Sequence, residues 1–400
     1  MKRISICLAL ATATAANAQM EVEHSGQFRI RHENYDIYQG RSNKKDFTTM
    51  RARLDLDIKL PEGRKFHISP QAVKSFGEYV AEIDDDGSAD FNRTSGDKYD
   101  SPLEFYEAYA YIPLGEHSLK LGRQALSYGG KIILGNRNWT PSGQAFDAAK
   151  FTTTIGSGEL DLVYSKVAND ENKIVNDDAT LTFLYYKLKM GKSHKLDTYI
   201  ISNNVSNDNV DGAGEENADS TSYGFRYQFK GDAAKFTTEN IYQDFSNSEN
   251  SAYNLNFEYS HDLADFTPFI SYAVATEDYD QLYANRHKYN GFIDIVGRKN
   301  LETISVGTNY AFSDKLALRA EYFNFKKVDD DTLAYNQATS KTLQGDVNED
   351  HLGNELDLVL AYKPTKMERI QLAYMVFDHG DYFEEQKQSK FAYLEYLLKF

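Results

Sequence analysis

Cysteine is almost absent from this 400-residue chain: the only one is Cys7. It falls inside residues 1–18, which read as a secretory signal with Lys2 and Arg3 at the positive end, Ile4 to Ala16 apolar, and Ala16-Asn17-Ala18 as the cleavage site. The mature chain is expected to begin at Gln19. It would then carry no thiol chemistry, no disulfide and no cysteine-bound metal. Proline is also scarce, at 7 residues, which suits long strands because each proline removes a ladder donor. Outside the signal no run of 18 apolar residues occurs and mean hydropathy is −0.59, which excludes a bundle of membrane helices. A β-barrel is not excluded, because its strands are apolar only at alternate positions and hydropathy averages away. Basic residues are outnumbered, 44 against 60 acidic ones, and the net charge of −16 argues against nucleic acid as a partner. No Pro/Gly/Ser-rich linker divides residues 19–400, so one continuous architecture is expected.

What the chain does have is aromatic residues, 29 Tyr and 24 Phe. Tyr suits the two interfaces of a membrane, where a ring needs one apolar and one wet end. Two-residue periodicity predicts strands near 22–32, 47–60, 64–75, 103–112, 117–124, 143–155, 159–167, 180–190 and 194–202. It continues near 220–230, 234–245, 251–260, 265–276, 301–312, 315–327, 353–363, 366–378 and 390–400. The connections alternate. Short turns with hairpin chemistry fall at 61–63, 114–116, 156–158, 191–193, 231–233, 262–264, 313–314 and 364–365. Between them lie mostly long polar connections such as 76–102, 203–219, 277–300 and 328–352. Structureless connections of that length count against a compact soluble domain. They fit an all-β, transmembrane antiparallel barrel of about 18 strands, with short periplasmic turns and long extracellular loops.

The strands also show two rows. Over 47–60, Met50, Ala52, Leu54, Leu56, Ile58 and Leu60 oppose Arg51, Arg53, Asp55, Asp57 and Lys59; over 220–230, Tyr223, Phe225, Tyr227 and Phe229 oppose Arg226, Gln228 and Lys230. In 315–327 and 353–363 the charged row holds Arg319, Glu321, Glu355 and Asp357. A soluble sandwich would alternate too, with its apolar row inward. The charged rows favour a barrel wall, apolar outside and wet inside, as does the C-terminal segment, which ends on Phe400 after apolar or aromatic residues at alternate positions. Such a segment looks like an insertion signal, so the expected location is the outer membrane of a Gram-negative cell. The expected surroundings are outer-membrane lipid, lipopolysaccharide and the barrel assembly machinery.

The most specific stretch runs Leu119-Lys-Leu-Gly-Arg123-Gln124-Ala-Leu-Ser-Tyr128-Gly129-Gly130, then Ile133-Leu-Gly135-Asn-Arg137-Asn-Trp139-Thr-Pro-Ser-Gly143-Gln-Ala-Phe146-Asp147. Here the sequence resembles the alginate export porin family. The resemblance is close over about 35 residues and extends loosely, through the strand layout, along the mature chain. It implies an eighteen-stranded barrel whose constriction is lined by arginines and some carboxylates for passage of a polyuronate, with Arg123, Arg137 and Asp147 at that constriction. Guanidinium groups suit this task because they stay charged, are weakly hydrated and grip carboxylates in a planar fork.

Strand parity independently puts Arg29, Arg31, Arg51, Arg53, Lys120, Arg226 and Arg319 in the lumen, with Lys187 and Lys189 as further candidates. Asp55, Asp57, Glu107, Glu321, Glu355 and Asp357 point the same way, so the plain alternative is cross-strand pairing that stiffens the wall. Trp139 either stacks on a sugar or packs an infolded loop. The acidic run from Glu82 to Asp90 has partial calcium-loop spacing, but Arg93 stands where the bidentate Glu belongs, so a solvated loop is the better reading. No Gly-x-Ser-x-Gly, phosphate loop or metal-binding His pair occurs, and only Asp378-His379 resembles a catalytic dyad. The expectation is therefore a cofactor-free channel and not an enzyme, passing an anionic polysaccharide or oligosaccharide. The alternatives are a general or small-solute porin on the same wall, or an adhesin acting through its loops.

Overall fold

The computed structural model describes residues 21–38, 45–77, 82–83, 89–90, 101–168, 178–205, 219–246, 251–285, 287, 289–336 and 342–400. The signal segment lies outside them. The strands are β1 (Glu21–Asp36), β2 (Lys45–Lys59), β3 (Lys65–Gly77), β4 (Glu82–Ile83), β5 (Ala89–Asp90), β6 (Ser101–Leu114) and β7 (His117–Gln124). Next come β8 (Phe146–Ile155), β9 (Gly158–Ala168), β10 (Asp178–Met190), β11 (His194–Val205), β12 (Ser220–Lys230) and β13 (Ala234–Phe245). The last are β14 (Ser251–His261), β15 (Phe266–Ala275), β16 (Leu301–Ala311), β17 (Leu316–Lys326), β18 (His351–Tyr362), β19 (Glu368–His379) and β20 (Gln388–Lys399). β4 and β5 pair only with each other, while the other strands form one 18-stranded antiparallel sheet in which each strand bonds to the next.

The sheet closes on itself because β1 pairs with β20 from Gln27↔Lys399 to Asp36↔Lys390. Closure satisfies every strand edge, the condition for a sheet to cross hydrocarbon. Among the described residues no helix is long and apolar enough to cross a membrane; crossing is by strands. The eight short turns lie where the sequence puts them, with left-handed glycines at Gly156 (φ 60°) and Gly191 (φ 68°) making two of them. Alternation is also as read: Leu54, Tyr223, Phe225 and Tyr322 are exposed on the outer face, and Arg51, Arg53 and Glu321 are buried within.

Closure rests on a tight seam. Gly26 and Phe400 exchange backbone hydrogen bonds of 2.8 and 3.1 Å, and a Cβ on Gly26 would lie 2.7 Å from the Phe400 ring and 2.9 Å from the Arg53 carbonyl oxygen. Gly26→Val is therefore expected to reduce sharply the fraction of chain that folds into a heat-modifiable barrel on a gel, whereas Val22→Ala at the exposed strand end is expected to leave it unchanged.

Candidate functional site

The inner wall is not wet throughout. Val163, Leu181, Phe183, Tyr185, Ile201 and Ile241 face inward and are buried, which alternation alone would have given to polar residues. They are covered by the connection between β7 and β8, which turns into the barrel and buries Leu126, Ile132, Ile133 and Leu134 against them. The connection between β15 and β16 folds inward as well, and packs Ile293, Ile295 and Val296 with Phe323, Phe325, Phe377 and Phe391 in a second apolar cluster. The two segments meet in a parallel bridge, Leu134↔Tyr283, with Gly135 N–H donating to the Tyr283 carbonyl at 3.0 Å and Tyr283 N–H to the Ile133 carbonyl at 3.0 Å. These connections look like loops in sequence and act as a partition inside the barrel.

Carboxylates hold the partition by its amides. Glu239 of β13 accepts from Gly130 N–H at 2.6 Å and from the Tyr199 hydroxyl at 2.9 Å; Glu355 and Asp357 of β18 accept from Ile293 and Phe292 N–H at 3.0 and 3.2 Å. The Tyr128 hydroxyl donates to Asp161 at 2.9 Å. Burial, then the neighbouring Asp161 charge, push the Tyr128 phenol well above its ordinary value, so it stays a donor. Burial also pushes Tyr283 up, to about 12.

Arginines hold the partition by its carbonyls. Arg29 donates to the carbonyls of Asn138 (3.0 Å), Trp139 (3.1 Å) and Thr140 (3.0 Å), and Arg51 to those of Pro141 (3.1 Å) and Thr140 (3.3 Å). Arg53 reaches the Ser142 carbonyl at 3.3 Å and the Gln71 amide oxygen at 2.9 Å, with its guanidinium 3.4 Å above the Tyr106 ring. Arg31 donates to the Trp139 carbonyl at 3.1 Å and pairs with Glu33 at 3.0 Å and Glu395 at 3.7 Å. By contrast, Arg29, Arg51 and Arg53, only 4%, 3% and 5% exposed, have no carboxylate at ion-pair distance among the described residues. Three buried cations thus face neutral oxygens, and two of them, Arg29 and Arg51, are directly opposite across β1 and β2.

A closed eighteen-stranded wall matches what the sequence is similar to. The Alginate export family matches over residues 36–396. The chain belongs to the alginate export family. No curated protein matches the sequence. Among solved structures it is similar to Acinetobacter baumannii OccAB2 (13% identity, 95% of this chain and 98% of that one, TM-score 0.65). It is also similar to Pseudomonas aeruginosa OccK5 (OpdH), with 12% identity, 95% and 98% coverage and a TM-score of 0.63. Pseudomonas aeruginosa OccK8 (OprE) gives 11% identity, 95% and 98% coverage and a TM-score of 0.65. At such identities these likenesses establish the fold. This alginate export family member is an outer-membrane β-barrel of the porin type, a channel and not an enzyme.

Of the residues that the family resemblance puts at a constriction, two stand elsewhere. Arg123 and Asp147 are register partners in β7 and β8, form a 3.5 Å ion pair, and are 43% and 62% exposed. Phe146 and Ala148, on either side of Asp147, are buried in the inner apolar cluster, so period two turns Asp147 and its partner to the outer face. Because the pair stands outside the lumen, Arg123→Ala is expected to leave ion selectivity in a planar bilayer unchanged. Arg137 is inside but engaged: Nε donates to the Ala284 carbonyl at 3.1 Å and Nη2 to the Leu282 carbonyl at 3.3 Å, joining the two infolded segments.

Three of the other basic residues are paired in the wall. Arg226 meets Glu239 at 3.3 Å, Arg319 meets Glu321 at 2.5 Å, and Lys187 meets Glu159 and Asp161 at 2.8 and 2.9 Å. Lys120 lies 3.5 Å over the Tyr109 ring, and Lys189 is exposed near the β10–β11 turn. Trp139 packs loop to loop, stacked at 3.8 Å on His287 with Arg31 3.9 Å over its ring. Asp378 and His379 form no dyad: Asp378 accepts from Gln388, while His379 Nδ1 meets the Lys387 carbonyl at 2.8 Å. Residues 84–88 of the acidic run lie outside the described residues. Sequence reading passed over Glu239, Asp161, Gln71 and Gln27, whose amide oxygen accepts from Arg51 at 3.1 Å. For Glu239 the usable signal was its place in the same row as the inward Ile241 and Gln243.

Proposed function

We propose that this barrel passes an anionic polysaccharide or its oligomers across the outer membrane, with carboxylates moving along the guanidinium groups of β1 and β2. The observation that carries the reading is the trio Arg29, Arg51 and Arg53, buried inside the barrel with no carboxylate at ion-pair distance among the described residues. A fixed excess of positive charge in a low-dielectric lumen lowers the barrier for anions and raises it for cations. Each contact is a fork that forms and breaks, with no covalent step, so a polymer with many carboxylates is held weakly at each point and slides. The driving force is a concentration difference or a periplasmic partner.

A second reading, a small-solute porin without polysaccharide specificity, draws on the partition itself, because two apolar clusters and two infolded segments narrow the lumen. Single-channel recording in planar bilayers separates the two. Anion preference with concentration-dependent block by a galacturonate oligomer, and none by a neutral maltooligosaccharide of equal length, is the expected result. Equal block by both sugars, or by neither, supports the small-solute porin.

A further inference from the structure

Resting on that reading, we infer that Arg29, Arg51 and Arg53 form a carboxylate-binding subsite that the chain's own backbone fills at rest. The carbonyl oxygens of residues 138–142 stand where the carboxylates of a polyuronate bind, and the arriving polymer displaces that segment.

Arg298 is also buried on neutral oxygens, those of Asn256 and Asn290; what sets Arg29, Arg51 and Arg53 apart is that they are neighbours on β1 and β2 and converge on one segment. Arg31, Arg226, Arg319 and Arg369 each have a carboxylate within ion-pair distance, at 3.0, 3.3, 2.5 and 2.8 Å. Among the described residues the trio has only neutral acceptors, and the Arg51 Nε is buried with no hydrogen-bond partner. Like charges directly opposite on neighbouring strands are destabilising, and a carbonyl offers a dipole where a carboxylate would offer a full compensating charge. An arginine–carbonyl bond has one ionised partner only; a carboxylate accepts both prongs of the fork and adds a full opposite charge, so it outcompetes a carbonyl contact for contact. Five consecutive carbonyls, those of Asn138, Trp139, Thr140, Pro141 and Ser142, are engaged by the arginines, a row of acceptors like the row that a uronate polymer presents.

The segment is also built to move as a unit. It is bonded within itself: Thr140 N–H donates to the Arg137 carbonyl at 3.0 Å and Gly143 N–H to the Thr140 hydroxyl at 3.1 Å. Gln144 N–H closes its base on the Asn136 carbonyl at 2.8 Å. Residues in left-handed conformation bracket it, Arg137 (φ 41°) and Gly143 (φ 77°). Behind it the Trp139 ring stacks on His287 and meets Tyr393 edge-on at 5.2 Å, and the wall donor outside the trio that it would leave, Arg31 at 3.1 Å from its carbonyl and 3.9 Å over its ring, keeps Glu33 and Glu395.

Trp139 is the only tryptophan, so its fluorescence reports on this segment in the unaltered protein. With the full-length mature chain in detergent micelles, a galacturonate oligomer is titrated against a neutral maltooligosaccharide, and bilayer block is recorded with the same sugars. The uronate is expected to red-shift Trp139 emission and roughly double its quenching by acrylamide over the concentrations that block the current; the neutral sugar leaves both unchanged. In Arg51→Lys, which keeps the charge and loses the planar fork, the midpoint moves several-fold upward in uronate concentration. Block by uronate with emission and quenching unaltered overturns the displaced segment and leaves the channel reading standing. Absence of both block and spectral change overturns the two together.

Discussion

If carboxylates pass along these guanidinium groups as proposed, Arg51→Glu combined with Arg53→Glu is expected to turn anion preference into cation preference. The two side chains are buried in the lumen face of β2, and Arg29 faces Arg51 across the β1–β2 ladder. At an effective dielectric of roughly 20, one unit charge acts on an ion about 10 Å away with about 1.7 kcal/mol. The double change moves the local charge by four units, so even after screening by salt the ratio of anion to cation permeability is expected to fall by at least about tenfold. Carboxylates would also face the carbonyls of residues 140–142 and drive that segment off the wall, which changes pore width as well as sign. Arg51→Gln with Arg53→Gln separates the effects: the amides still donate to carbonyls, so the segment stays seated while anion preference drops without reversing. Reversal potentials in a salt gradient measure both. Unaltered selectivity in the Glu pair would remove β1 and β2 from the conduction path.

The wall was legible because hydrocarbon outside and polar groups inside impose opposite demands on neighbouring residues. In β2 the row Met50, Ala52, Leu54 and the row Arg51, Arg53, Asp55 satisfy both, and period two reads straight off. β10 shows where such reading stops. Leu181, Phe183 and Tyr185 face inward while Leu184 faces outward, so the strand is apolar on both sides. A strand with two apolar rows is a strand covered by protein on both faces or by lipid on one and protein on the other. That pattern, together with Ile132-Ile133-Leu134 and the isolated Ile293 and Ile295 in otherwise polar connections, is the trace of infolding that the sequence does carry. Parity assigns Arg29, Arg51 and Arg53 to the inner row, but their partners were beyond reach. Apart from the Gln27 side chain, which Arg51 meets across the β1–β2 ladder, the oxygens that satisfy Arg29 and Arg51 belong to main-chain carbonyls more than 80 residues away, and a carbonyl has no signature in the sequence. Arg123 and Asp147 failed for a related reason: their motif is shared with the family, while their direction is fixed by neighbours such as Phe146 and Ala148.

Cutting out residues 125–145 tests the partition itself. Gln124 and Phe146 are directly paired in the β7–β8 ladder, so an Asn-Gly turn can join them without disturbing the register. The shortened barrel is expected to conduct several-fold more current, because the segment bridging from Glu239 on β13 to the arginines of β1 and β2 is gone. Anion preference is expected to persist, since Arg29, Arg51 and Arg53 remain and lose only neutral partners. Stability in detergent falls at the same time. Leu181, Phe183, Ile201 and Ile241 exchange a dry contact for water, at about 25 cal/mol per Å² of apolar surface exposed. Glu239 and Asp161 lose the donors from Gly130 and Tyr128 but keep Arg226, Lys150 and Lys187 within ion-pair distance, so exposure of the apolar wall costs more than the broken hydrogen bonds. The segment from β15 to β16 keeps its amide bonds to Glu355 and Asp357, which retains part of the narrowing. Conductance equal to that of the intact chain would mean that solutes cross by a route the β7–β8 segment does not obstruct, and that its seat on the arginines serves only to stiffen the wall.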